Sequence, residues 1–189
     1  AYRDRLDADG RILMDVVCFL LKDDGHTVLV DTGWGPASDE LLGEALASEG
    51  VAATGVEGRL LEELAAAGVA PAEVDTVVLT HLHGDHTGWN INRATGEPAF
   101  ANARYIVGRA DWAAGDPASP ASASFVRDMK PLQLSGHLEL YDGERSIAPS
   151  ITAVDISGHT PGHTGVAIAS AGERAFFTGD SFFTTIDVE

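Results

Sequence analysis

Between Thr80 and Trp89 the chain reads Thr-His-Leu-His-Gly-Asp-His-Thr-Gly-Trp. His81, His83 and His86 fall within six positions, with Asp85 among them. Neutral imidazoles and carboxylates are the usual ligands of zinc and similar divalent cations. The whole chain holds 7 histidines in 189 residues, so composition alone does not supply three in so short a run. The apolar run Val77-Val78-Leu79 directly precedes them. A strand that ends in such a loop can aim every donor at one point, and we read the cluster as half of a two-metal hydrolytic site. The bland alternative is a His-rich loop that holds no metal.

Two later stretches offer more donors. Gly158-His159-Thr160-Pro161-Gly162-His163 follows the apolar run 151–156, and Thr178-Gly179-Asp180-Ser181 follows the run 174–177. Each places a donor just past a strand end, as His81 is placed. Three strand ends would then feed one edge of a sheet.

The elements that must position these groups can be read from hydrophobic periodicity. Residues 14–22 and 27–31 are β-like and joined by the turn signal Asp23-Asp24-Gly25-His26. Residues 38–48 and 57–67 carry helical spacing, with Leu60, Leu61 and Leu64 on one face. A short turn at Pro71-Ala72-Glu73 leads into a strand at 76–79. Residues 88–103 read as loop, 104–107 as strand and 110–114 as a short helix. Residues 115–124 are rich in Ser, Ala and Pro and are expected to be a mobile surface segment near the site. Residues 125–129 read as helix, and 137–141, 151–156, 165–170 and 174–178 as strands. This order predicts an α/β sandwich with two packed sheets and helices outside, in one domain.

The bulk properties bound the partners. Apolar residues make up 44% of the chain, enough for a real core, and no apolar run is long enough for a bilayer span. The net charge is −17, from 29 acidic against 12 basic residues, which repels nucleic acid and anionic membranes. The expected partner is a small molecule, with neither nucleic acid nor membrane involved. A homodimer is compatible with the chain. Cys18 is the only cysteine and lies in the run Val16-Val17-Cys18-Phe19-Leu20-Leu21, so a buried, inert thiol is expected. With no disulfide available within the chain, a cytoplasmic location is expected.

Taken together, Val30-Asp31-Thr32-Gly33, the cluster at 81–86, Gly158-His159-Thr160-Pro161-Gly162-His163 and Gly179-Asp180 resemble the metallo-β-lactamase superfamily in order and spacing. The resemblance implies an αββα four-layer sandwich. It implies that His81, His83 and His159 hold a first metal, that Asp85 and His86 hold a second, and that Asp180 bridges both. Asp31 then orients the metal loop, and His163 has a supporting or pocket role. Two divalent ions, zinc first, with iron, manganese or cobalt as alternatives, would share a water that ionises near neutral pH and attacks a carbonyl or phosphoryl centre. Asp85 would pass a proton to the leaving group.

Thr-His-Leu-His-Gly-Asp-His-Thr-Gly-Trp-Asn looks similar to the acyl-homoserine lactonase and methyl-parathion-hydrolase-like branch, which implies a lactonase-like, quorum-quenching activity. Two departures stand out. Lactonases of that type often carry a Tyr three residues after the bridging Asp, where this chain has Phe183. The two-metal members also supply a last histidine after that Asp, and no histidine follows Asp180 here. The expectation is that the C-terminal element of the fold is missing, with a one-metal site as the alternative. Trp34, Trp89, Phe182 and Phe183 flank the proposed ligands and would wall an apolar pocket. The resulting expectation is a dinuclear hydrolase of a neutral ester or lactone. The alternatives are a phosphotriesterase-like hydrolase, a single-iron persulfide dioxygenase and an inactive fragment.

Overall fold

The computed structural model describes residues 15–36, 58–115 and 124–182. Its first two strands, β1 (Phe19–Asp23) and β2 (His26–Val30), form an antiparallel hairpin in which Asp23 faces His26. The two residues between them, Asp24 and Gly25, both have positive φ, at 46° and 83°. That is the two-residue turn whose twist matches a hairpin, and Gly meets its demand without steric cost.

Helix α1 (Leu60–Ala66) follows, with Leu64 buried and Leu60 and Leu61 packed beside it. Strand β3 (Thr76–Val78) leads into the four-residue helix α2 (Gly84–Thr87). Strand β4 (Arg104–Gly108) runs directly into α3 (Arg109–Ala114). A wide π-type turn over Phe125–Met129 then continues into α4 (Lys130–Leu134). Strands β5 (Leu138–Tyr141), β6 (Glu144–Ala148), β7 (Ile151–Asp155), β8 (Thr164–Ser170) and β9 (Glu173–Phe177) complete the described strands.

Among the described residues the strands form two sheets. One has five strands in the order β1-β2-β3-β4-β5, and the other has four in the order β6-β7-β8-β9. Strands β2 to β5 are parallel, whereas the second sheet is antiparallel throughout. Parallel strands covered on both faces should be apolar at every position. Residues Val28, Leu29 and Val30 and Val77 and Val78 are all buried.

Successive side chains point to opposite faces, so each strand serves two cores. Leu29, Val77, Leu79, Tyr105 and Val107 pack with Leu64, Val69, Phe125, Met129 and Leu132 under the helical layer. Val28, Val30, Val78 and Ile106 face Ile147, Ile151, Ala153 and Val166 of the second sheet. Each fully buried Leu, Ile or Phe contributes roughly 1.5–3 kcal/mol. This mixed α/β architecture of two sheets flanked by helices agrees with the expected αββα sandwich. On the outer face of the second sheet, Thr152, Ala167, Arg174 and Phe176 line an open groove of about 460 Å³.

Most element boundaries lie within a residue or two of the sequence reading. The strand read at 14–22 is seen as Phe19–Asp23, with residues 15–18 non-strand. The reading missed β6, whose first three residues Glu144-Arg145-Ser146 carry polar side chains. The helix read at 38–48 and the segment 116–123 lie outside the described residues. No helix among the described residues is long and apolar enough to cross a membrane.

Candidate metal centre

The carboxyl ends of β2, β3, β7 and β9 open toward one side of the molecule, the usual location of sites on parallel sheets. Strand β3 passes through Leu79 and Thr80 to His81, which is 1% exposed and sits at the middle of the cluster. Helix α2 begins just after His83 and turns Asp85 and His86 back toward His81. His159 comes from the loop after β7. Asp180 comes from the short 3₁₀ turn Gly179–Ser181 after β9.

Among the described residues two sets of donor atoms converge, His81 with His83 and His159, and His81 with His86 and Asp180. His81 Nε2 lies 2.9 Å from His83 Nδ1, and His159 Nε2 lies 3.2 Å from the same atom. Zinc with arms of about 2.0–2.1 Å in a tetrahedral shell holds its donors roughly 3.3 Å apart. The imidazoles therefore have the spacing and the chemistry of a divalent-cation site.

Asp180 faces both sets. Its Oδ1 is 3.3 Å from His86 Nε2, and its Oδ2 is 3.7 Å from both His81 Nε2 and His159 Nε2. Asp85 Oδ2 stands 3.5 Å from His86 Nε2, so it reaches the second set through His86. His81 belongs to both sets, a placement that the sequence alone did not indicate.

Asp31 anchors the arrangement from below. Its carboxylate accepts from Thr80 N–H at 2.7 Å, from the Thr80 hydroxyl at 2.7 Å and from His86 Nδ1 at 2.8 Å. His81 Nδ1 is 3.2 Å from the Thr80 hydroxyl oxygen. With Nδ1 of both His81 and His86 engaged on this side, Nε2 of each ring is left facing the cluster. The loop after Asp31 is locked as well, because Thr32 N–H and its hydroxyl both donate to His86 O.

The protonation preferences follow from this packing. Burial first, then the surrounding imidazoles, pushes His81 far below its usual range. Burial and the neighbouring His159 lower His83 in the same direction. Burial also opposes protonation of His86, but Asp31, Asp180 and Asp85 together raise it well above the ordinary value. Burial raises Asp85, and the hydrogen bond and charge of His86 overcome that and hold it low.

His163 is fully buried, and its Nε2 accepts from the Asp180 backbone N–H at 3.2 Å. It therefore touches the turn that carries Asp180, while its own Nδ1 has no hydrogen-bond partner among the described residues. Trp34 and Trp89 are half-buried, and the Trp89 indole donates to Gly58 O at 3.1 Å. Phe182 is 50% exposed, and Phe183 lies outside the described residues. The two remaining histidines stay out of the cluster: His26 pairs with Asp75 at 3.8 Å, and His137 bonds Ser135 and Ala101. Sequence reasoning missed Thr80, Asn90, Asp111 and Asp128. All four are buried polar residues in the loops and helices around the cluster. A Thr or Asp beside an apolar run was the only available signal, and it is a weak one.

A model of the family described as "Metallo-beta-lactamase superfamily" matches residues 11–189. The chain is 28% identical over 164 residues to an N-acyl homoserine lactonase of a Bacillus species, covering 84% of this chain and 60% of that protein. It is 30% identical over 184 residues to the N-acyl homoserine lactonase AiiB of Agrobacterium fabrum, covering 89% and 63%. Among solved structures, a probable metal-dependent hydrolase from Staphylococcus aureus superimposes with a TM-score of 0.76 at 24% identity, covering 93% of this chain and 61% of that one. AidC, a dizinc quorum-quenching lactonase, superimposes with a TM-score of 0.71 at 23% identity, covering 93% and 59%. The chain thus spans about 60% of the length of the curated Bacillus relatives that it matches. With the family match running almost from end to end and the donor clusters in place, the chain belongs to the metallo-β-lactamase superfamily.

Proposed function

We propose that this chain carries the metal site of a metal-dependent hydrolase acting on a neutral ester or lactone. One observation carries the reading: a single carboxylate, Asp180, points one oxygen at His86 and the other at His81 and His159. A carboxylate so placed could serve two cations at once, which supports the reading. His81, His83 and His159 would hold one ion, Asp85 and His86 the other, and Asp180 both. The oxygen and imidazole donors suit zinc first, with iron, manganese or cobalt as alternatives. Divalent ions held there supply Lewis acidity and make a bound water acidic enough to serve as a nucleophile at neutral pH.

The protein's own groups do the rest. Asp31 and Thr80 fix the ring orientations of His81 and His86. Asp85, kept ionised by His86, is the group that takes up a proton at its carboxylate and returns it to the leaving oxygen. Trp34 and Trp89, half-buried, and the exposed Phe182 would offer apolar surface to an uncharged substrate. The lactonase names of the matched relatives support a lactone ring as that substrate. The net charge of −17 supports a neutral molecule over a polyanion.

The test begins with metal-free protein, reloaded separately with zinc, iron, manganese and cobalt and checked for bound metal. Each form is assayed on N-acyl homoserine lactones, aryl esters, phosphotriesters, β-lactams and a persulfide. The expected result is metal binding with best turnover on a lactone or neutral ester, abolished by chelation. Turnover that survives stringent chelation, or oxygen uptake with the persulfide as the preferred reaction, would overturn the reading.

A further inference from the structure

Of the ligands proposed above, His159 has the least regular support. It is exposed and sits in a loop between β7 and β8 rather than at a buried strand end. Something else must hold that loop against the cluster, because an unrestrained loop would impose an ordering cost on every binding event.

Asp111, in helix α3, is 5% exposed, and the proposed chemistry gives it no part. Its carboxylate reaches across 51 residues of sequence to accept from Gly162 N–H at 2.7 Å, and it accepts from the Thr160 hydroxyl at 2.9 Å. Both donors lie in the loop that carries His159, one and three residues after it. The backbones are also in close contact at this point. A Cβ on Gly162 would lie 2.4 Å from Asp111 N, and one on Gly108 would lie 2.3 Å from Gly162 O. Glycine at both positions lets the loop settle directly on the β4–α3 corner, where the carboxylate grips it. The same loop ends at His163, which accepts from Asp180 N–H.

We infer that Asp111 is a positioning residue that docks the His159 loop onto the β4–α3 corner and so sets the affinity of the centre for metal. This rests on the assignment of His159 as a ligand. Supporting partners of metal ligands typically change metal affinity by about 10- to 100-fold when removed.

The experiment compares wild type with Asp111→Ala, Asp111→Asn, Thr160→Val and Asp75→Ala. Asp75→Ala is the stability control: it removes a carboxylate that accepts from Thr27 N–H at 2.6 Å at the opposite end of the same sheet. Zinc affinity is read by competition with a chromophoric chelator, and cobalt binding by its visible absorption. Asp111→Ala should bind zinc about 10- to 100-fold more weakly, with an altered cobalt spectrum. Asp111→Asn retains an acceptor for Gly162 N–H and should stay within about threefold of wild type. Asp75→Ala should lower the unfolding temperature without changing affinity or spectrum.

Unchanged zinc affinity and cobalt spectrum in Asp111→Ala would overturn the inference. So would a change of equal size in the Asp75→Ala control. Should Asp111→Ala fail to fold, Thr160→Val combined with Asp111→Asn decides the matter: weaker zinc binding supports the inference, and wild-type binding ends it. If wild type itself binds no metal, the failure belongs to the proposed function and not to Asp111.

Discussion

The Asp31 carboxylate accepts a hydrogen bond from His86 Nδ1 at 2.8 Å, reaching it from a backbone held at φ 59°. Left-handed backbone at a residue other than glycine costs on the order of 1 kcal/mol and is tolerated best by Asp and Asn. The return is that one carboxylate sets the orientation of two imidazoles, His86 directly and His81 through Thr80.

Asp31→Asn tests this relationship with little change in shape. An amide whose oxygen keeps the Thr80 N–H bond turns its NH₂ toward His86 Nδ1, where it can only donate. His86 must then carry its proton on Nε2, and its lone pair no longer faces Asp180. Metal affinity should fall by about 10- to 100-fold, measured by chelator competition. Asp31→Ala should also lower stability by roughly 2–4 kcal/mol in denaturant titration, because buried donors of Thr80 and His86 are left without an acceptor.

A second buried carboxylate supports the metal loop from the helical side. Asp128 is 0% exposed and accepts from Arg127 Nη2 at 2.6 Å and from the Thr87 hydroxyl at 3.1 Å, with Arg93 Nη2 at 2.7 Å. Arg93 also donates to Gly88 O at 2.9 Å, so the cluster holds both Thr87 and Gly88, the two residues that follow His86. Asp128→Ala removes the buried acceptor that two guanidinium groups and a hydroxyl share, and unfolding in urea should show a loss of about 3–5 kcal/mol. A loss below about 1 kcal/mol would mean that water replaces the carboxylate without penalty.

The proposed ligands could be read from the sequence because metal chemistry demands particular residue types at short spacings. His81, His83, Asp85 and His86 are contiguous, and His159 and Asp180 follow apolar runs that announce their strands. The hairpin at Asp24-Gly25 was legible for a similar reason, since few residues accept two successive positive φ angles. The supporting carboxylates were not legible. Asp111 and Asp128 sit in short helical stretches where an acidic residue normally faces water, and only the tertiary packing buries them. Strand β6 escaped because an edge strand can be polar on most of its length and still pair on one side. That His81 belongs to both donor sets depends on distances across the fold, which linear spacing does not encode.

Cys18 gives a pH-dependent prediction. Its thiol packs among the apolar side chains under the helical layer, and burial, with the Asp31 charge adding to it, pushes its pKa from 9.0 to about 12. At pH 8 the reactive thiolate should be about a thousandfold scarcer than on an unfolded chain. Alkylation with iodoacetamide should therefore be slow in the native protein and fast in urea, with the ratio read by mass spectrometry. The sign for stability is also fixed: the folded state favours the neutral thiol. Its contribution is full below pH 9 and is lost as the pH rises from there toward 12.

An aromatic stack joins the two sheets at one edge of the sandwich. Phe19 on β1 and Phe177 on β9 stack with ring centroids 4.0 Å apart and planes inclined by 25°. Each belongs to the terminal strand of its sheet among the described residues, so this pair joins the two sheets where no backbone ladder does. Aromatic pairs contribute about 0.5–1.5 kcal/mol beyond the area that they bury. Phe19 is 38% exposed, and partial solvation places the expected coupling toward the lower half of that range. A double-mutant cycle with Phe19→Leu and Phe177→Leu, followed by urea unfolding, measures the coupling apart from the loss of each ring. A coupling near zero would mean that the inter-sheet core of Val28, Val30, Ile151 and Val166 holds the sheets together without help from this edge. A coupling of about 0.5 kcal/mol or more would make the stack a real closure between β1 and β9.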